Sequence, residues 1–123
     1  MCYMPMITPG IDHIALTVPD LDEQVDRLVS EFGMVVESRF DGFALISDPA
    51  SGLKLELGRS DDAQVHFRHL GFRAEDVDGA HEHLVRAGMG SSEAPHRRDF
   101  AGMYTSFLQQ QGGFEVQLVN YDD

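Results

Sequence analysis

The sequence predicts an α+β fold built from two similar β-α-β-β-β modules, and an internal repeat is the main reason. Residues 11–22 (IDHIALTVPDLD) return as residues 67–78 (FRHLGFRAEDVD), an offset of 56 in a chain of 123 residues. In each copy, alternating apolar residues predict a strand with one buried face. An apolar stripe at helical spacing follows each strand, and short strand-like runs follow the stripe. Since each helix must cover one sheet face, we expect the modules to pair into an eight-stranded curved sheet around a concave site.

The first module is predicted to span residues 11–58. Asp20 and Glu23 have the spacing of a capping box at the start of a helix, and Gly33 is typical of a helix end. Asp41-Gly42 is typical of a two-residue hairpin turn. The strands of this module are predicted at residues 11–18, 34–40, 43–47 and 53–57.

The second module is predicted to span residues 66–123, after a polar linker at residues 59–65. Asp76 is the predicted helix cap, and the helix is expected to end at Gly88. A loop that contains Pro95 is expected before the outer strands. Residues 1–10 are expected to form a loose N-terminal arm, and the two modules together are expected to make one structural domain.

Composition restricts the partners of the chain. There are 21 acidic and 9 basic residues, and the net charge is −12. This balance disfavours nucleic acids and anionic membranes, which both need a cationic protein face. No apolar run approaches the ~20 residues of a membrane span. A single cysteine excludes an intrachain disulfide and favours the cytoplasm, so a small-molecule partner is the expectation.

Strand alternation predicts which side chains share the face opposite the helices. His13 and His69 fall on this face at equivalent positions of the repeat. Alignment of the last strands pairs Glu56 with Gln117 on the same face. Two imidazoles, a carboxylate and an amide oxygen can hold a divalent metal, and two histidines with one carboxylate also form the facial triad of non-haem iron enzymes. Glu115, two residues before Gln117, is the alternative ligand if the register is shifted.

Four segments of the chain form a recognisable pattern: IDHIAL at 11–16, DP at 48–49 leading to LEL at 55–57, HLGF at 69–72 and FEVQL at 114–118. With these segments the chain resembles the vicinal oxygen chelate superfamily, which includes glyoxalase I, methylmalonyl-CoA epimerase, extradiol dioxygenases and the fosfomycin- and bleomycin-resistance proteins. The resemblance implies the paired-module fold, a homodimer, and a metal bound by the residues that match the family's ligands, namely His13, Glu56, His69 and Gln117. The metal would be nickel, cobalt, zinc, manganese or iron.

Departures from the family pattern bear on the activity. Glyoxalase I usually has glutamate where this chain has Gln117, and an amide cannot act as a general base at neutral pH. The epimerase ligand order looks like histidine, glutamine, histidine, glutamate, which is the present set with the modules exchanged. Glu56 and Glu37 are therefore the candidate catalytic carboxylates, with Glu37 as a possible base for proton transfer.

Four further residues are candidates for substrate binding. Arg73 is predicted to share the inner face with His69, and Arg97 and Arg98 are expected in the loop that enters the outer strands. All three can bind a carboxylate or phosphate. Tyr104 is a candidate groove residue. His81 and His83, two apart on a helix, are expected on the surface.

The ligand set and the family resemblance are compatible with three functions. The first is a metal-dependent isomerase, epimerase or lyase that acts on a small oxygen-chelating substrate through an enolate-like intermediate. The second is an Fe(II) extradiol-type dioxygenase. The third is a non-catalytic binding protein of the bleomycin-resistance kind, for which the negative net charge favours cationic ligands.

Overall fold

The computed structural model of the protein describes residues 10–122 and confirms the α+β class. It contains two helices and an eight-stranded mixed sheet. The predicted arm, residues 1–10, lies outside the described residues except for Gly10. The elements are β1 (Gly10–Val18), α1 (Leu21–Phe32), β2 (Val35–Phe40), β3 (Phe43–Ser47), β4 (Lys54–Arg59), β5 (His66–Arg73), α2 (Val77–Arg86), β6 (Gly90–Arg98), β7 (Met103–Gln109) and β8 (Glu115–Tyr121), with a 3₁₀ turn at Asp99–Ala101.

The described chain divides into two compact units of similar design. The first unit is His13–His69, with strand order β2-β3-β4-β1. The second unit contains residues 10–12 and 70–122, with strand order β5-β8-β7-β6. Both boundaries fall beside a histidine of the repeat. As a result, His13 and His69 belong to the same unit.

In the first unit, α1 covers one face of the sheet with an apolar core. The core includes Val25, Ala44 and Ile46, all fully buried. Gly33 ends the helix in the left-handed conformation (φ 72°), and the backbone N–H groups of Gly33 and Met34 bond to the last turn, so the predicted helix end is confirmed. The predicted capping box does not form. Asp20 is itself left-handed (φ 52°) and its side chain caps nothing, because a capping side chain needs an extended backbone to reach the first-turn N–H groups.

In the second unit, α2 packs on a core that contains Ala80, Leu108 and Leu118. Its predicted cap is confirmed: Asp76 accepts a hydrogen bond of 3.0 Å from the backbone N–H of Gly79. Among the described residues, neither helix has the length and apolar character needed to span a bilayer.

Two expectations for the second unit were wrong. The segment around Pro95, Arg97 and Arg98 is the edge strand β6 and not a loop. Proline is tolerated there because an edge strand has unpaired positions, and the register of β6 shifts on either side of Glu93. His81 is buried and not on the surface, because its ring lies between α2 and the hydroxyl groups of Ser106 and Ser91.

Candidate metal centre

Strand register in the first unit confirms the predicted sidedness of the histidine strand. His13 pairs with Lys54 and Ala15 with Glu56 in the parallel β1–β4 ladder. The residues between them, Ile14 and Leu55, pair on the helix side. Residues paired across adjacent strands share a face, so His13, Lys54 and Glu56 lie together on the face opposite α1.

Three side chains of the first unit bring their ligand atoms together. The Nε2 atom of His13 is 3.2 Å from Nε2 of His69 and 3.3 Å from Oε2 of Glu56. Nε2 of His69 is 3.8 Å from Oε1 of Glu56. The two imidazole rings meet edge to face, with an interplanar angle of 85°. Among the described residues, this is the group of three or more His, Cys, Asp or Glu side chains that could hold a metal ion.

These separations suit a shared metal ion. Two ligand atoms that each lie about 2.1 Å from one ion are about 3.0 Å apart at a right angle and about 3.4 Å apart at a tetrahedral angle. Two of the observed distances, 3.2 and 3.3 Å, fall between these values, and the third, 3.8 Å, is slightly longer. The residues therefore fit a divalent metal.

Burial of the group also suits a reactive centre. The side chain of His13 is 1% exposed, that of His69 14% and that of Glu56 23%. One side of the group is thus enclosed by protein, while the carboxylate borders solvent. A metal held by three protein ligands with a solvent-accessible side keeps positions for substrate oxygens.

Gln117 is a buried residue of the second unit, on the sheet face opposite α2. Register pairs it with Phe107 on β7, while Leu118 pairs with Ser106 on the helix side. Its Nε2 donates to Oγ1 of Thr105 at 2.9 Å. Glu115 lies on the same face as Gln117, as the alternation predicts. The role of either side chain as a ligand stays a prediction.

Glu37 lies at an irregularity of strand β2. The β2–β3 register shifts between Val36 and Ser38, so Glu37 is the extra residue of a bulge. Its Oε1 accepts a hydrogen bond of 3.1 Å from Oγ of Ser47, which is buried. Ser47 pairs with Lys54, and Lys54 pairs with His13, so these residues form one row on the candidate metal face.

The candidate substrate residues are engaged with protein groups. Nε of Arg73 lies 2.9 Å from Oδ1 of Asp12, a buried carboxylate that also accepts from the Tyr121 hydroxyl at 2.5 Å. Arg97 donates hydrogen bonds to both carboxylate oxygens of Asp122 and to Asp99, and these bonds raise the pKa of its guanidinium.

Arg98 lies 3.3 Å from Glu93 and stacks over the Phe107 ring. Tyr104 faces α2, and its hydroxyl donates to Asp78 at 2.7 Å, which raises the pKa of the phenol. Tyr104 therefore lies on the opposite sheet face from Gln117. Substrate contacts of all four residues stay predictions.

Two residues on these faces were not predicted to have a role. Lys54 is the single lysine of the chain and lies in register with His13. A lone lysine at an inward strand position could have been recognised from the sequence as a candidate site residue. Thr105 was missed because nothing in its sequence neighbourhood distinguishes it, and only the strand register places its hydroxyl beside Gln117.

Comparison with known proteins decides the family. Residues 10–118 match the model of the Glyoxalase/Bleomycin resistance protein/Dioxygenase superfamily. The chain belongs to this superfamily. No curated protein matches the chain.

Solved structures of other proteins share the fold. Methylmalonyl-CoA epimerase from Mycobacterium tuberculosis superposes with a TM-score of 0.78 at 22% identity, over 100% of this chain and 94% of that one. A variant of the Streptomyces coelicolor methylmalonyl-CoA epimerase, in complex with 2-nitronate-propionyl-CoA, gives a TM-score of 0.71 at 22% identity, over 93% of this chain and 98% of that one. A hypothetical protein from Bacillus halodurans gives 0.70 at 14% identity, over 92% and 94%.

Proposed function

We propose that this superfamily member is a divalent-metal-dependent enzyme that moves a proton on a carbon next to a carbonyl group, as an isomerase, epimerase or lyase. The carrying observation is the convergence of His13, Glu56 and His69, with ligand atoms at most 4.8 Å apart. When bound, a divalent ion acts as a Lewis acid that stabilises negative charge on substrate oxygens.

Glu37 is the proposed base. Its carboxylate is held by the Ser47 hydroxyl, in the row that continues through Lys54 to His13. Neighbouring strands lie about 4.8 Å apart, so two strand spacings, about 10 Å, separate Ser47 from His13 along this row. That spacing leaves room for a small substrate between carboxylate and metal. Glu37 would accept the proton from carbon and return it, and the electron pair left on carbon would delocalise onto the carbonyl oxygen.

Charge favours a small anionic substrate. Lys54 is a cation on the metal face, where it can pair with a carboxylate or enolate oxygen. Seven arginines among residues 10–122 already pair with carboxylates, and the net charge is −12. A large polyphosphate handle such as that of coenzyme A would therefore have to compete with protein carboxylates for most of the basic side chains. We therefore expect the protein to prefer a 2-keto acid, or a small compound of similar charge, over methylmalonyl-CoA.

The decisive test combines metal analysis with proton exchange. Protein purified without chelator is analysed for bound metal, reloaded with Co²⁺ or Ni²⁺, and incubated in D₂O with 2-keto acids, 2-hydroxy ketones and methylmalonyl-CoA. Deuterium incorporation next to a carbonyl that disappears in Glu37→Gln supports the proposal. Absence of a stoichiometric metal site in the wild-type protein contradicts it.

The same ligand group favours one alternative. Two histidines and one carboxylate are the facial triad of Fe(II) oxygenases. Anaerobic loading with Fe²⁺, followed by oxygen-uptake measurements with a panel of catechols, separates the two chemistries. Oxygen uptake without deuterium exchange would establish the dioxygenase. Tight ligand binding that is unchanged in a His13→Ala/His69→Ala variant would establish a non-catalytic binding protein.

A further inference from the structure

The starting observation is a change of polarity along one face of the first unit. Ala44 and Ile46 lie in the core beneath α1, so the alternate residues of β3 point to the opposite face. These residues are Phe43, Leu45 and Ser47, which pair with the strand β4 that carries the candidate metal ligand. An apolar and a polar end of β3 therefore lie on the same face as the ligand group.

The strand register arranges this face in three rows of paired residues. Successive rows are two residues apart along the strands, which is about 6.6 Å. The polar row is His13, Lys54 and Ser47, the ligand row is Ala15, Glu56 and Leu45, and the apolar row is Thr17, Gly58, Phe43 and Phe40. Glu56 thus has the polar row on one side and the apolar row on the other.

A depression lies in the middle of the apolar row because Gly58 has no side chain. On one side is Thr17, whose methyl carbon is 3.4 Å from the position that a Cβ atom on Gly58 would take. On the other side is the half-buried Phe43 ring, which lies against the Phe40 ring with centroids 6.1 Å apart. Phe40 itself is 67% exposed. The depression therefore has apolar walls and borders the ligand row.

The backbone does not account for a glycine at this position. Gly58 lies within β4 and its φ is not positive, so other residues can adopt the same conformation. Its distinguishing feature is the space that it leaves between Thr17 and Phe43.

From this arrangement we propose that the depression binds the apolar end of the substrate, and that the substrate is a 2-keto acid with an aromatic or bulky aliphatic group. The carboxylate of the acid pairs with Lys54, its oxygens approach the metal beside Glu56, and its apolar group lies over Gly58 against Phe43. Four residues of β4, about 13 Å, separate Lys54 from Gly58, a distance that the lysine side chain and such an acid bridge together. This inference rests on the proposed function and names its substrate class.

The first test measures binding without catalysis. Co²⁺-loaded protein is titrated with acetohydroxamic acid and benzohydroxamic acid, which chelate through the same two oxygens, and each affinity is corrected for binding to Co²⁺ in buffer. We expect the wild type to prefer benzohydroxamic acid about 20-fold, since burial of one face of the phenyl ring removes roughly 75 Å² of apolar surface from water. Equal corrected affinities would overturn the proposal.

Two variants assign this preference to the apolar row. Gly58→Val fills the depression, so it should lose most of the preference for the phenyl group and retain its affinity for acetohydroxamic acid. Phe43→Ala removes one wall and should act in the same direction, which keeps the test decisive if Gly58→Val does not fold. Gly90→Val, at a glycine of β6 in the second unit, is the matched control and should behave like the wild type. A preference that persists in Phe43→Ala contradicts the assignment.

A second copy of the chain as the occupant of the apolar row predicts a different result. In that case Phe40→Ala and Phe43→Ala would convert a dimer into a monomer in analytical ultracentrifugation, and neither would change the preference for benzohydroxamic acid. This combination would overturn the proposal.

Failure of this inference is distinguishable from failure of the proposed function. If the wild type binds neither Co²⁺ nor acetohydroxamic acid, both fail together. If acetohydroxamic acid binds without any additional affinity for the phenyl group, only the substrate class is wrong. Deuterium exchange in D₂O extends the test to substrates: kcat/KM should be higher for 4-phenyl-2-oxobutanoate than for 2-oxobutanoate, and equal values would contradict the proposal.

Discussion

Glu37 is the extra residue of a β-bulge, and a bulge re-aims a side chain. Regular alternation along β2 could not indicate that Glu37 would reach Ser47 on the metal face.

If Glu37 is the base, Glu37→Gln should lower kcat about 100- to 1,000-fold and leave KM and metal affinity unchanged, since a general base contributes factors of this size. Steady-state kinetics measure both parameters.

The control for this prediction is Glu31→Gln, which removes an exposed carboxylate on α1. Ser47→Ala should give an intermediate loss of kcat, because Ser47 only holds the carboxylate in place. A Glu37→Gln enzyme with wild-type kcat would show that another group moves the proton.

Lys54 is a cation in register with His13 on the candidate metal face. Lys54→Met should weaken oxalate binding to the Co²⁺-loaded protein by about 10-fold or more, since hydrogen bonds to charged groups contribute about 1.5–3 kcal/mol. Binding of the neutral chelator acetohydroxamic acid should change little. Both affinities can be followed by the visible absorption of bound Co²⁺.

Lys54→Arg should retain most of the oxalate affinity, and Arg27→Met, which breaks a surface pair with Glu23, is the matched control for loss of a cation. Equal losses for oxalate and the neutral chelator would mean that Lys54 supports the site without selecting an anion.

At the scale of elements, His81 links α2 to two strands of the second unit. Its Nδ1 lies 2.8 Å from Oγ of Ser106 on β7, and its Nε2 lies 2.9 Å from Oγ of Ser91 on β6. Burial lowers the pKa of this imidazole below its ordinary value of 6.5, and the opposing effect of Asp78 is smaller.

A lowered pKa in the folded state makes stability depend on pH. The unfolded chain binds the His81 proton more readily, so this contribution is fully present above pH 6.5 and is lost as pH falls towards the lower folded pKa. We expect the free energy of unfolding to decrease over that window and the decrease to be smaller in His81→Gln. Urea denaturation at a series of pH values measures it.

His83→Gln is the matched control, since His83 is exposed on the same helix. Its pH dependence should follow that of the wild type. If His81→Gln also follows the wild-type pH profile, the dependence arises from other groups.

At the scale of the whole molecule, metal binding and folding should be coupled. His13 and His69 are 56 residues apart and meet only in the folded chain, so an ion bound by both stabilises the folded state. At a metal concentration 100 times the dissociation constant, the gain is about 2.7 kcal/mol, which corresponds to a rise in melting temperature of roughly 10 °C for a chain of this size.

Calorimetry with Co²⁺ and then with excess chelator tests this coupling. The rise should be reversed by chelator and absent in His13→Ala. A rise of equal size in His13→Ala would show that the ion binds elsewhere.

Much of the fold was predictable because the signals are local. The repeat, the apolar spacing of the helices, Gly33 and Asp76 each specify their own neighbourhood, and each occurs where expected. Local signals failed where tertiary contacts prevailed: Asp20 adopts a left-handed backbone, Pro95 is accommodated in an edge strand, and His81 is buried by a partner strand far along the chain.

By itself, the sequence determined the α+β class, the two β-α-β-β-β modules and the inward position of His13, Glu56 and His69, because period and repeat are properties of the chain. The tertiary structure decided how closely those three side chains converge and which hydroxyl groups contact Glu37 and Gln117. Distances between residues on different strands depend on register, and a hydroxyl proton depends on its neighbours in space. For that reason the sequence separates Glu56 from Gln117 by residue type alone, whereas only the strand register places Leu45 opposite Glu56 and the Thr105 hydroxyl beside Gln117.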